Sequence, residues 1–139
     1  MREGRCREFA AFGWKPEEVP DPQARETFER SKLNWNELSR VPHKEILDWH
    51  KKLIQLRRDE ADLGDELMDH VRTYFDEERR WLVIEHGAIR VACNLASQSQ
   101  AIPLVGKQQI LLASETGIEI SGGNINLPPD SVVILRLAD

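Results

Sequence analysis

The sequence predicts an α+β protein in which helices come first and strands follow. Two observations carry this expectation. The run HKEILDWHKKLIQLRRDE, residues 43–60, repeats apolar residues at three- and four-residue steps, the signature of an amphipathic helix. Beyond Gly64 the pattern changes to short β-branched segments separated by turn residues. Residues 1–64 are therefore expected to form one architectural unit. Residues 65–139 are expected to form a second, an all-β antiparallel sandwich of about six to eight strands.

The helical half is justified element by element. Residues 2–12 suit a helix with Phe9 and Phe12 on one face, and Gly13 is free to take a left-handed exit conformation. Pro16, Pro20 and Pro22 then rule out regular structure, because each lacks an amide donor and restrains the residue before it. Asp21-Pro22 reads as the cap and first turn of a short helix over 22–30. SKLNWNELSR, residues 31–40, reads as an irregular connection carrying one buried aromatic, Trp35.

In the main helix Ile46, Trp49, Leu53 and Leu56 form the stripe, widened by Leu47 and Ile54. Pro42 fits the first helical position, Lys51, Lys52, Arg57 and Arg58 suit the negative end of the dipole, and Gly64 supplies a stop. Burying an indole stabilises by a few kcal/mol, so Trp35 and Trp49 are both assigned to a core. A helix apolar on one side must lie against something, and nothing else in the chain offers an obviously large enough partner.

The strand segments are RRWLVIE, GAIRVACNLA, QAIPLV, QQILLAS, GIEISG and SVVILRLAD. His86-Gly87 lies between two alternating runs, as a tight hairpin requires. Ile89, Val91, Cys93 and Leu95 alternate with smaller or polar neighbours and are expected to form the buried face of their strand. Pro128-Pro129 precedes the last strand rather than interrupting it.

Composition removes several function classes. The net charge is −5 with no long run of like charges, and the Arg2, Arg5 and Arg7 cluster, broken by Glu3, reads as a solvated helix face. Nucleic-acid binding needs clustered positive charge and is not expected. No apolar run approaches the roughly 20 residues of a bilayer span, and no charged-then-apolar leader is present, so neither a membrane partner nor secretion is expected. Cys6 and Cys93 form no CxxC pair; two free thiols in a reducing cytoplasm is the favoured reading, and the spacing leaves a disulfide open.

His43, His50, His70 and His86 are scattered without ligand spacing, so no metal and no cofactor is expected. Glu17-Glu18 and Glu77-Glu78 are neighbours that point in different directions and read as surface acids. Ser31, Ser97 and Ser99 lack a GxSxG context, and Gly122-Gly123 reads as a turn with no helix behind it to hold a phosphate.

SKLNW at 31–35 followed by IxxWHKKLIQLRR at 46–58 resembles the α-amylase superfamily of glycoside hydrolases. In that superfamily an S-x-[LV]-[ND]-W stretch precedes the eighth helix of a (β/α)8 barrel, whose ending corresponds to Leu53, Ile54, Leu56, Arg57 and Arg58. Within it, FAAFGW, VPDPQ and TFERSKLNW are similar to the malto-oligosyltrehalose trehalohydrolase family. The likeness is strong from Glu8 to Arg58 and weaker over the strands, where WLVIEHGAIRVACNLA looks like the family's C-terminal sandwich.

The resemblance implies that residues 1–64 are the last βα loop and eighth helix of such a barrel, and that 65–139 are the C-terminal domain. The family cleaves the α-1,4 bond beside a trehalosyl unit by a retaining double displacement between two carboxyls roughly 5 Å apart. Those carboxyls and a supporting aspartate lie on barrel strands four, five and seven, which no position here matches. No catalytic residue is carried over. The implied substrate of the intact enzyme is a malto-oligosaccharide bearing a trehalosyl end, the missing partner is the catalytic barrel, and a longer parent polypeptide is expected.

The resemblance also makes residues 8–23 the eighth βα loop, at the barrel face where catalysis occurs. Trp14 and Phe12 are candidate sugar-stacking rings, and Asp21 and Gln23 candidate hydrogen-bonding partners of hydroxyls. The competing reading has both rings pinning the loop to the barrel rim. From residue 67 onward only Tyr74, Phe75 and Trp81 are aromatic, with Trp81 in an apolar strand, so the sandwich is expected to be a packing domain rather than a carbohydrate-binding module. An uncovered helix face with displaced aromatics invites self-association.

Overall fold

The computed structural model describes residues 2–64 and 68–138. The α+β expectation holds: helices occupy the first half and antiparallel strands the second. The chain divides into two units, residues 1–44 and 45–139.

The first unit holds α1 (Arg2–Ala10), a 3-10 turn (Pro16–Glu18), α2 (Arg25–Ser31) and a second 3-10 turn (Trp35–Ser39). α1 stops two residues short of the expected end, and α2 begins at Arg25 rather than at 22. The reason for the later start lies in Asp21. Its carboxylate accepts from the Gln23 N–H at 3.0 Å and its carbonyl from the Ala24 N–H at 3.1 Å, closing a turn that ends before the helix begins. Asn34, which accepts from the Asn36 N–H at 3.2 Å, caps the 3-10 turn where an irregular connection was expected.

None of residues 3–44 is buried. Trp35 is 71% exposed, which overturns its assignment to a core: the unit has no apolar interior to receive it.

Among the described residues, the second unit is built on α3 (His43–Asp59), a short turn of helix α4 (Ala61–Gly64) and eight strands. The strands are β1 (Val71–Asp76), β2 (Trp81–His86), β3 (Ile89–Asn94), β4 (Gln100–Pro103), β5 (Gln108–Ala113), β6 (Ile120–Ser121), β7 (Asn124–Leu127) and β8 (Ser131–Leu137). They form a five-stranded sheet in the order β1-β2-β3-β8-β5 and a three-stranded sheet in the order β4-β7-β6. Every pairing is antiparallel. No helix of the described residues is long and apolar enough to cross a membrane.

Register explains the core. Val83 stands opposite Ala92, and Ala92 opposite Val133, so these side chains share one face of the larger sheet. They pack with Leu135 against Ile102 and Leu104 of the β4 segment and Ile125 and Leu127 of β7. One apolar cluster therefore joins the two sheets. This corrects the expected phase of β3. Its core side carries Arg90, Ala92 and Asn94, whereas Ile89, Val91 and Cys93 point to the opposite face and Leu95 is 54% exposed. Small Ala92 sits at the core because the neighbouring strands supply the bulk. Burial also raises the pKa of the half-buried Cys93 thiol above its ordinary value.

Asn94 closes one end of the cluster and is 0% exposed. Its Nδ2 lies 2.9 Å from the Gln98 carbonyl, 3.0 Å from that of Leu127 and 2.8 Å from that of Pro128, while its Oδ1 accepts from the Ala96 N–H at 3.0 Å. The amide group thus ties β3 in one sheet to the end of β7 in the other. Ser131 assists, donating from its hydroxyl to the Pro128 carbonyl at 2.7 Å.

α3 ends on the outer face of the larger sheet. Arg136 alternates with core-facing Leu135, so it projects away from the smaller sheet, and it pairs with Glu60 just past the helix. Asp62 then accepts from the Ala88 N–H at 2.6 Å, beside Gly87, whose φ of +58° favours glycine and where a side chain would have to displace the Asp62 carboxylate. Trp49, Leu53 and Leu56 are half-buried, whereas Ile46 and Ile54 are exposed, so the stripe is only partly covered. Trp49 is not the fully enclosed core residue its position suggested.

Replacing Asn94 by Ala leaves several buried polar groups unpaired. It should cost about 3 kcal/mol of unfolding free energy in urea titration. Asn94→Asp should be worse near neutrality, because a carboxylate would face three carbonyl oxygens, and should recover in part as pH falls toward about 4.

Candidate functional site

The aromatic loop after α1 owes its shape to a helix stop. The Trp14 N–H donates to the Phe9 carbonyl at 3.2 Å and the Gly13 N–H to the Ala10 carbonyl at 3.1 Å. This pair of bonds is a Schellman motif, and it needs a left-handed residue, here Gly13 at φ +80°. The accompanying apolar contact is present: the Trp14 and Phe9 rings meet edge to face with centroids 5.2 Å apart. Arg5 lies over the Phe9 ring at 5.4 Å, and Phe12 reaches it at 6.4 Å.

The four residues singled out from the sequence take different positions. Phe12 is 76% exposed, Trp14 about half exposed despite its packing, Gln23 exposed and Asp21 half-buried. Trp14 borders a concavity with Glu18, whose carboxylate accepts from the Lys15 N–H at 2.8 Å. Asp21 lines a separate concavity of about 200 Å³ with Arg5, Cys6, Pro16, Val19 and Pro20. Glu17, Glu18, Glu77 and Glu78 are all exposed.

A further concavity lies in the strand unit, at the open edge of the gap between the sheets. It encloses about 220 Å³ and is lined by Tyr74, Trp81, Val83, Glu85, Arg90 and the Pro103–Val105 segment. Cross-strand register puts Tyr74 opposite Val83 and Glu85 opposite Arg90, on the face that carries the core. Arg90 Nε donates to Glu85 Oε1 at 2.6 Å, and the Tyr74 hydroxyl reaches Glu85 Oε2 at 3.4 Å. The Arg90 side chain is 10% exposed, so its charge is met by Glu85 almost out of contact with water.

Sequence reasoning missed this cleft. The signal was available, because alternation across the His86-Gly87 turn places an acid and a base directly opposite on the same side as Trp81 and Val83.

The α+β fold is shared by part of a solved structure. A pullulanase from Anoxybacillus sp. LM18-11, solved with maltotetraose, superposes with a TM-score of 0.63 at 19% identity, over 79% of this chain and 17% of its own. Residues 68–134 match the domain of unknown function DUF3459.

Sequence carries the relationship further. The chain is 40% identical over 136 residues to malto-oligosyltrehalose trehalohydrolase of Mycobacterium tuberculosis, and 39% identical over 134 residues to that of Rhizobium sp. (strain M-11). The trehalohydrolase of Deinococcus radiodurans is 34% identical over 123 residues. These alignments take in 98%, 96% and 83% of this chain but only 23%, 22% and 20% of the relatives' lengths. The chain is thus homologous to the C-terminal part of malto-oligosyltrehalose trehalohydrolases, and it spans less than a quarter of their length.

Gly13→Ala meets open space around the added methyl, so its cost is conformational, about 1 kcal/mol. Cα chemical shifts of residues 5–10 should show α1 less populated in that variant. Trp14→Phe should leave them unchanged, and Trp14→Ala should shift them by removing a ring contact worth about 1 kcal/mol.

Proposed function

We propose that this chain is the C-terminal portion of a retaining glycoside hydrolase that releases trehalose from malto-oligosyltrehalose by cleaving the adjacent α-1,4 bond. In this reading residues 1–64 are the last βα loop and eighth helix of a (β/α)8 barrel, and residues 65–139 are a C-terminal sandwich. The segment contributes structure and supplies no catalytic carboxyl. The absence of any buried side chain among residues 3–44 is the observation that carries the reading. A stretch exposing Phe12, Phe28, Leu33, Trp35 and Val41 is built to be covered by protein surface, and a barrel provides it. Similarity to trehalohydrolases along nearly the whole chain supports this reading.

Trp14, Phe12, Asp21 and Gln23 are proposed to face the substrate groove of that barrel. Sugar stacking needs one free ring face. The edge-to-face packing of Trp14 on Phe9 orients the ring and leaves about half of it exposed. An enzyme of this kind works on a cytoplasmic malto-oligosaccharide.

A second reading is a free-standing carbohydrate-binding or protein-interaction domain. The strand unit favours it to the extent that its core is complete without the first 44 residues.

The two separate in one experiment. Purified 139-residue chain should release no trehalose from malto-oligosyltrehalose and should self-associate in sedimentation through its exposed aromatics. A chimera in which it replaces the homologous quarter of the Mycobacterium tuberculosis enzyme should be active. Release by the chain alone, or an inactive but folded chimera, would overturn the first reading. In the active chimera, Trp14→Ala should raise KM about tenfold with little change in kcat, and Trp14→Phe should restore most of it.

A further inference from the structure

The cleft at the open edge between the two sheets has a feature that packing does not account for. Trp81 Nε1 and Arg90 Nη1 are both buried, and neither has a hydrogen-bond acceptor among the described residues. A buried donor without a partner costs about 1–3 kcal/mol, more when it is charged. Two such groups lining one concavity therefore call for an acceptor inside it.

The surroundings restrict what the acceptor belongs to. Glu85 already meets the Arg90 charge at 2.6 Å, so a second anion would find an ion pair rather than a free cation. The rest of the lining is apolar or aromatic: Tyr74, Trp81, Val83, Pro103, Leu104 and Val105. A fitting ligand is neutral, offers hydroxyl or ether oxygens to two N–H donors, and presents C–H faces to an indole and a phenol. A pyranose ring has this combination, since its axial C–H groups make an apolar face and its rim carries the oxygens. The volume of about 220 Å³ suits a ring of that size rather than a larger molecule.

We propose that this cleft, bounded by Tyr74, Trp81, Glu85 and Arg90, is a sugar-binding site that takes a neutral hexopyranose. Arg90 donates through Nη1 while Glu85 holds the guanidinium in plane. Trp81 donates through Nε1, and Tyr74 is fixed beside them by its contact with Glu85 Oε2. The site lies wholly in the strand unit, 60 or more residues along the chain from Trp14. It rests on the cleft and not on the proposed parent reaction, so the two fail separately.

The test is a titration of the 15N-labelled full chain with maltose, following the indole N–H resonance of Trp81, assigned by its loss in Trp81→Phe. A saturable shift with a Kd on the order of millimolar is expected. Trp81→Phe keeps the ring and loses the donor, and should weaken binding about tenfold by the remaining amide shifts of residues 83–92. Sodium acetate at equal concentration should leave the indole resonance in place. An indole that does not move in wild-type protein at saturating maltose overturns the proposal without recourse to any variant. A response to acetate equal to that for maltose overturns the assignment to a neutral sugar.

Discussion

Apolar surface has to be covered, and the two halves of this chain meet that constraint in opposite ways. In the strand unit Ile89, Ile102, Ile125, Leu127, Val133 and Leu135 are all essentially inaccessible, and one cluster joins both sheets. At roughly 25 cal/mol per Å2 of apolar area, a cluster of this kind is what offsets the entropy of ordering the strands. Among residues 3–44 nothing is buried, although Phe9, Phe12, Trp14, Phe28 and Trp35 are all present. Local bonds shape that unit: a Schellman motif, an Asx turn and a capped 3-10 turn. Each is worth about 1 kcal/mol and fixes a short stretch of chain without making an interior. A segment that is locally specified and globally uncovered is the form expected of a piece completed by other protein surface.

The strand unit, by contrast, shows where its specificity comes from. Asn94 could have been another valine as far as the alternation goes. Its amide holds carbonyls that belong to the other sheet, and an apolar side chain would leave those carbonyls unpaired. The Glu60–Arg136 pair and the Asp62 bond to Ala88 act on the opposite side of the larger sheet, where they fix the end of α3. Polar groups thus set orientation on both faces while the apolar cluster supplies most of the energy.

Much of this was legible beforehand. The 3.6-residue period of 43–60, the glycine exit after Phe12 and the hairpin at His86-Gly87 each rest on a strong local preference, and each appears where expected. β1 and β7 were missed for local reasons. VRTYFD carries charge on a strand that pairs only along one edge, and NINL is four residues long with two asparagines. The phase of β3 was misread because both faces of that strand carry apolar residues, and alternation cannot say which face meets the other sheet. Trp35 was placed in a core by its type alone, and type does not reveal that residues 3–44 bury no side chain to pack it against. The trehalohydrolase likeness, by contrast, was carried by whole motifs, FAAFGW, VPDPQ and TFERSKLNW, and the relatives bear it out. The inter-sheet cleft went unread because its far wall, Pro103–Val105, comes from outside the hairpin that carries its donors, and only the fold brings the two together.

The central proposal is that a surface outside this chain completes residues 2–44, whereas the core of residues 71–137 is closed by their own side chains. Amide hydrogen exchange read by mass spectrometry, on the isolated chain and on a chimera carrying a trehalohydrolase barrel, measures this directly. Peptides from residues 71–137 should be equally protected in both. Those from residues 2–44 should exchange within seconds in the dilute isolated chain and slow by orders of magnitude in the chimera. Equal protection of residues 2–44 in both would contradict the account.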